Sequence, residues 1–183
     1  MAQVESNMMK LGTKAPAFSL PDVVSGKTIS LSEVKSNIAT VVIFICNHCP
    51  FVKHINSKLV EVANKYQAQG VQFITISSND VETHPHDGPE FMKQIAEQNS
   101  YPFPYLYDET QEVAKAYRAE CTPDFFMFDG DLKCVYRGQF DDSRPNKGEA
   151  TGKDLSAALD AVIAGEKVSE VQKPSIGCNI KWK

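Results

Sequence analysis

The sequence predicts an α/β fold built around a parallel strand–helix–strand unit, and three observations carry that prediction. Residues 41–45 form a continuous apolar, largely β-branched run, Val41-Val42-Ile43-Phe44-Ile45, the pattern of a strand buried on both faces. Val52, Ile55, Leu59, Val62, Ala63 and Tyr66 recur every three or four residues, which places an amphipathic helix over 51–66. Gly70 then breaks the chain, and Val71-Gln72-Phe73-Ile74-Thr75-Ile76 supplies a second strand, so the unit closes as a right-handed crossover.

Length and charge narrow the field. At 183 residues with no Pro/Gly/Ser-rich linker, the chain suits one domain, with 11–165 as its core and 166–183 as a tail packing on or near it. A formal charge of -4 without a basic run argues against nucleic acid or an anionic membrane as partner. No apolar stretch reaches membrane-spanning length and Met1 to Lys10 lacks the apolar core of a secretory signal, so a cytoplasmic location is expected. Five cysteines, an odd number and few for the length, do not make a disulfide scaffold.

The other elements follow in order. Residues 1–10 are polar with little periodicity and read as a frayed lead-in. Ser25-Gly26 marks a turn, Thr28 to Leu31 a short strand, and Ser32 with Glu33 a brief helical turn before the central strand. Past the crossover, residues 79–88 form a polar loop at the carboxyl end of its second strand, the edge where open α/β sheets collect ligands. Pro89 starts a helix with Phe91, Ile95 and Ala96 as its apolar face. Residues 102–107 are a short extended piece, and Asp108 with Gln111 caps a helix carrying Val113, Ala114 and Tyr117. Asp124 to Phe128 is a strand, Asp129-Gly130 a hairpin turn, and Lys133 to Phe140 the returning strand. The last helix presents Leu155, Ala158, Leu159, Val162 and Ile163 on one stripe, with Thr151 and Asp154 as a capping pair and Gly165 at its end. The tail from Ser169 to Lys183 holds Cys178 and the only tryptophan, Trp182, which a merely disordered end would not need.

The chemistry sits where the central strand meets its helix, at Cys46-Asn47-His48-Cys49-Pro50. Pro50 fits the first helical turn, where the amide hydrogen it lacks would have had no helical partner. Cys46 is placed at the helix N-terminus, where free amides and the dipole favour a thiolate. It is therefore expected as the exposed nucleophile, with Cys49, one turn on and more buried, as the resolving thiol. A Cys-x-x-Cys beside a strand–helix–strand pattern is the expected form of a thiol-disulfide redox site.

With these residues in view, 11–165 resembles the thioredoxin-fold redoxin group, AhpC/TSA-like and peroxiredoxin-like proteins together with cytochrome-maturation-type thioredoxins. Leu11-Gly12-Thr13-Lys14-Ala15-Pro16-Ala17-Phe18-Ser19-Leu20-Pro21-Asp22 is similar to the opening of such proteins. The resemblance implies a central mixed β-sheet flanked by helices, an N-terminal extension and a strand–helix insert. It also implies that Pro123 is cis and faces the cysteine pair, shaping a docking groove, with Thr122 beside the site. His48 stands where oxidising members of the fold carry a histidine, which implies a stabilised thiolate and a more oxidising pair. The activity implied is thiol-disulfide exchange with a protein or low-molecular-weight disulfide or dithiol, without a bound cofactor. Two departures matter. Residues 40–45 lack the carboxylate that thioredoxins keep in this strand, and Ala39 and Ile43 replace the proline and threonine that peroxiredoxins carry ahead of their peroxide-attacking cysteine.

Other residues carry open alternatives. Cys121, two residues before Pro123, is a candidate third redox thiol or a packed cysteine, and Cys178 reaches it if the tail folds back. His84, His86, Asp80 and Asp87 raise a metal reading, in which Cys46, Cys49 and one of His84 or His86 hold copper or zinc. Copper-delivery proteins of this fold carry three residues between their cysteines; this chain has two. A thiol-dependent peroxidase is a further alternative. Arg118 and Arg137 read as surface or ion-pairing groups, Cys134 as core, and residues 141–147 as a solvated loop near the site.

Overall fold

The computed structural model describes residues 2–183. Its centre is a five-stranded mixed sheet in the order β6-β5-β4-β8-β9. Here β4 is Ala39–Phe44, β5 Gln72–Ser77, β6 Tyr105–Tyr107, β8 Asp124–Asp129 and β9 Cys134–Gly138. The β4–β5 and β5–β6 pairs are parallel, whereas β8 runs antiparallel to β4, with Phe44 opposite Asp124, and β9 antiparallel to β8.

All six residues of β4 are buried, Thr40 among them, and alternation sends its apolar side chains, with Ile45 just beyond its end, to two cores. Val41, Ile43 and Ile45 pack with Phe73, Phe125 and Met127 under α2 (Pro50–Gln67) and α5 (Lys153–Ile163). Val42 and Phe44 pack with Ile74, Ile76, Phe126 and Phe128 against Tyr117 of α4 (Glu112–Tyr117) and against Phe18 and Leu31. The redoxin-like opening closes this second face: β2 (Ser19–Pro21) pairs with β3 (Thr28–Ser30), and α1 (Leu31–Val34) follows. Among the described residues no helix is long and apolar enough to cross a membrane.

A second, three-stranded antiparallel sheet, β1-β10-β7, overturns the expectation of a frayed lead-in. Gln3–Glu5 is β1, and it pairs along its whole length with β10, Ile176–Asn179, while Met1 lies outside the described residues. On its other edge β10 pairs with β7, Cys121–Thr122, placing Cys178 opposite Thr122 and Asn179 opposite Cys121. Strands this short show no legible period, and their partners are distant in sequence.

Smaller corrections have local causes. On α3 (Pro89–Gln98) the buried positions are Met92 and Ala96, and Phe91 is exposed with its ring edge on His86. Asp108 accepts hydrogen bonds from the Val113 and Ala114 amides as a cap, but Gln111 reaches away to donate to the Ser78 and Lys181 carbonyls. Thr151 and Asp154 do not form the expected reciprocal pair. Asp141 takes the Thr151 and Gly152 amides, and Asp154 accepts from Gln139.

Gly177 is the tightest fit of β10. A Cβ there would sit 2.0 Å from the Thr122 carbonyl oxygen, so only glycine lets the two backbones approach this closely. Gly177→Ala is expected to cost about 1–3 kcal/mol, the usual penalty of overpacking. It should also speed amide exchange across 176–179, read by hydrogen-exchange mass spectrometry; unchanged exchange there would show that β10 absorbs the methyl group.

Candidate active site

The last sheet bond of the central strand, from the Ile45 amide to the Ile76 carbonyl, releases the chain into Cys46, Asn47 and His48 before α2 begins. Pro50 is the first residue of α2, which makes Cys49, not Cys46, the N-cap. The favourable end of the helix is therefore aimed at the second cysteine.

Three thiols meet here. Cys46 Sγ lies 3.4 Å from Thr122 Oγ1 and 4.0 Å from His48 Nδ1. Cys49 Sγ lies 3.2 Å from the Thr122 carbonyl oxygen, which accepts its proton when it carries one. The third is Cys178, whose Sγ is 2.7 Å from that of Cys49. All five cysteines are free thiols and all are buried.

The expected exposed, acidic Cys46 is a correction. Cys46 is only 1% exposed, and its thiol is pushed well up, first by donating to Cys49, then by burial, then by the charge of Asp87. The Cys49 thiol is drawn down instead, first by a hydrogen bond from Cys178, then by one from Cys46, against the cost of burial. A pull from the Val52 amide in the first turn of α2 adds to this. Cys178 is correspondingly pushed up by giving its proton toward Cys49. Having two S–H donors, the middle sulfur holds the negative charge best.

The carboxylate missing from β4 arrives from the 79–88 loop. Asp87 is fully buried; its Oδ1 accepts from the Asn47 amide at 2.9 Å and its Oδ2 from Asn79 Nδ2 at 2.8 Å. His48 Nδ1 is 2.5 Å from the same Oδ2. The His48 ring is thus held by a buried carboxylate beside the Cys46 thiol. The sequence did mark this loop, at the carboxyl end of β5, as a ligand-collecting edge and a metal candidate, but not as the source of a carboxylate for the cysteine loop.

Among the described residues the cluster with ligand atoms within 4.8 Å of one another is Cys46, His48 and Asp87. His84 instead stacks on the His48 ring, centroids 5.3 Å apart, and His86 packs on Phe91. Asp80 accepts from Thr83 in its own turn. The ligand set Cys46, Cys49 and His84 or His86 is therefore not assembled.

Cys121 and Cys178 do not pair either. The register puts Cys121 opposite Asn179, one residue out of step, and alternation turns the two thiols to opposite faces. Cys121 donates toward the Pro123 carbonyl, and burial pushes its thiol up. Arg137 donates to the Met9 carbonyl and Gln172, Arg118 is exposed, and Cys134 is buried in the second core.

The Thr122–Pro123 bond is cis and Thr122 touches both site cysteines, as the resemblance implies. The open docking groove beside Pro123 is another correction. Ser175 Oγ donates to the Pro123 carbonyl at 2.6 Å, and with Ile176 it leaves a cavity of only about 20 Å³ there. Access lies elsewhere. A cleft of about 240 Å³ opens between α2 and α3, with Cys46 in its wall beside Lys53, Asn56, Asn99 and Tyr101.

With this geometry in place, comparison with known proteins is decisive for the family. The AhpC/TSA family model matches residues 11–137. The chain belongs to the AhpC/TSA family. Among solved structures, this AhpC/TSA protein is similar to an uncharacterized conserved protein from Geobacillus kaustophilus, at 62% identity and TM-score 0.98 over 100% of this chain and 97% of that one. It is also similar to a hypothetical protein from Sinorhizobium meliloti 1021, at 48% identity and TM-score 0.95 over 98% of each chain. The thioredoxin domain of a thiol-disulfide oxidoreductase from Bacteroides vulgatus shares the fold, at 18% identity and TM-score 0.63 over 81% of this chain and 97% of that one. None of the curated proteins matches this chain. The fold is thioredoxin-like and the family is one of redoxins.

Two expectations follow from the charges. Asp87→Asn removes one of the charges that holds the Cys46 thiol up. The pH profile of Cys46 alkylation by iodoacetamide should therefore move to lower pH; a profile that stays put or moves up would place Asp87 outside its electrostatic reach. In the reduced protein the thiolate absorbance should persist on acidification well below the ordinary thiol range. In Cys178→Ala it should disappear at higher pH, because the strongest donor to Cys49 is gone.

Proposed function

We propose that this AhpC/TSA protein is a thiol-disulfide oxidoreductase working through a Cys46–Cys49 dithiol/disulfide couple, and that it acts chiefly as the electron acceptor. The observation that supports this most is the asymmetry of the pair: Cys46 lines the cleft, whereas Cys49 holds the stabilised thiolate. In the oxidised form, a substrate thiolate entering the cleft attacks Cys46 Sγ. The Cys46–Cys49 bond breaks and its electron pair leaves on Cys49, the better leaving group because its thiol is the more acidic. The second substrate thiol then attacks its partner sulfur, releasing the oxidised substrate and the Cys46 thiolate. That thiolate regains a proton beside Thr122 Oγ1 and the His48–Asp87 pair.

Run in reverse, the cycle needs Cys46 as the nucleophile, and its suppressed ionisation disfavours this near neutral pH. Lys53, Asn56 and Asn99 offer polar contacts in a cleft also walled by Val52, Ile95 and Tyr101, which suits a small dithiol or disulfide with both polar and apolar parts. A cytoplasmic setting, where such thiols abound, remains part of the proposal.

A second reading rests on the same loop. Cys46, His48 and Asp87 offer one sulfur, one imidazole and one carboxylate, a donor set suited to zinc.

A glutathione redox titration of metal-free Cys178→Ala, trapped by alkylation and read cysteine by cysteine by mass, separates these. Cys46 and Cys49 are expected to leave the thiol pool together in a reversible two-electron transition. If they never pair, and added zinc protects Cys46 from alkylation at one ion per chain, the ion-binding reading replaces the redox one.

A further inference from the structure

We infer that Cys178 is a third redox thiol that exchanges with Cys49, so that the protein holds its disulfide in either of two positions, Cys46–Cys49 or Cys49–Cys178. This rests on the dithiol reading above and extends it.

The inference starts from the ladder. β10 is paired on both edges, and its register sets Cys178 opposite Thr122, the residue that touches both site cysteines. Alternation therefore turns the Cys178 side chain toward the site, and its sulfur arrives 2.7 Å from Cys49 Sγ. Both residues are buried, at 0% and 3% exposure, as is Cys46. Cys49 is the middle sulfur of the three, in contact with Cys178 on one side and engaged with Cys46 on the other. Cys46, the group that must leave, has the Thr122 hydroxyl at 3.4 Å, and because Asp87 opposes charge on it, it departs by taking up the proton that Cys178 gives up.

The step balances within the chain. Starting from the Cys46–Cys49 disulfide, Cys178 gives up its proton and its sulfur attacks Cys49 Sγ. The Cys49–Cys178 bond forms, the Cys46–Cys49 bond breaks, and the electron pair leaves on Cys46, which takes up the proton. One disulfide and one thiol are present before and after, and no electrons enter or leave. What changes is position. The exchange moves the disulfide from Cys46, in the wall of the cleft, to Cys178 on β10, and returns Cys46 to that wall as a thiol.

The test is disulfide mapping of the full chain after oxidation of the reduced protein with limiting oxidised glutathione, acid quench, alkylation and digestion. A linked peptide pair containing Cys49 and Cys178 is expected in the unaltered protein. The same link is expected in Cys46→Ser, where Cys49 has no other neighbour. In Cys178→Ser the Cys46–Cys49 link should be the sole one, and reduced glutathione should open it faster than it clears the disulfide of the unaltered protein. Suppose instead that Cys178 is alkylated throughout in the unaltered protein, and that Cys46→Ser yields only a glutathione adduct. The third-thiol role is then overturned while the dithiol reading stands. Absence of any Cys46–Cys49 link in Cys178→Ser would instead overturn the dithiol reading itself.

Discussion

A single antiparallel ladder, β10 held between β1 and β7, governs everything around the thiols. It sets Cys178 on Cys49, lays Ser175 on the Pro123 carbonyl, and carries the chain on to Lys181. The Lys181 amide then donates to Asn79 Oδ1, Asn79 donates to Asp87, and Asp87 holds His48. One strand near the end of the chain is thus connected to both sides of the cysteine motif, through sulfur on one side and through a carboxylate on the other. Both oxygens of the Asp87 carboxylate are satisfied in this network, while the buried His48 Nε2 has no hydrogen-bond partner among the described residues.

Burial gives this arrangement its electrostatic character. In water a thiolate is stabilised by solvent; here solvent is excluded and fixed donors decide which sulfur ionises. Two S–H donors and the opening of α2 converge on Cys49, while Asp87 opposes charge on Cys46. The polarity of the pair is therefore set first by the S–H donors that meet at Cys49, with the helix that Pro50 starts adding to them.

The parts of the fold that were legible in the sequence are those with a period. The buried run of β4, the stripe of α2 and the second strand of the crossover declare themselves because burial on two faces, or on one helical face, leaves a pattern in the residues. The cis bond at Pro123 and the contact of Thr122 with the cysteines came through resemblance. What stayed hidden has no local signal. Gln3–Glu5 and Ile176–Asn179 are three and four residues long, and nothing in either segment names the other as its partner. With β10 unseen, the place of Cys178, the closing of the groove at Pro123 and the shift of negative charge to Cys49 were unseen as well. Asp87 was visible as a polar loop residue, but its burial under the cysteine loop depends on how that loop folds over the sheet edge.

The order in which the chain is made gives the ladder a further meaning. Cys178 follows Cys49 by 129 residues, and β4, α2, β5 and β8 all precede it. Until β10 is in place, Cys49 lacks the cover that Cys178 gives it and β7 lacks its strand partner. During that interval the free edge of β7 offers unpaired backbone groups to any extended segment that reaches it. The arrival of β10 ends that exposure. It is the event at which a promiscuous strand edge becomes a closed site.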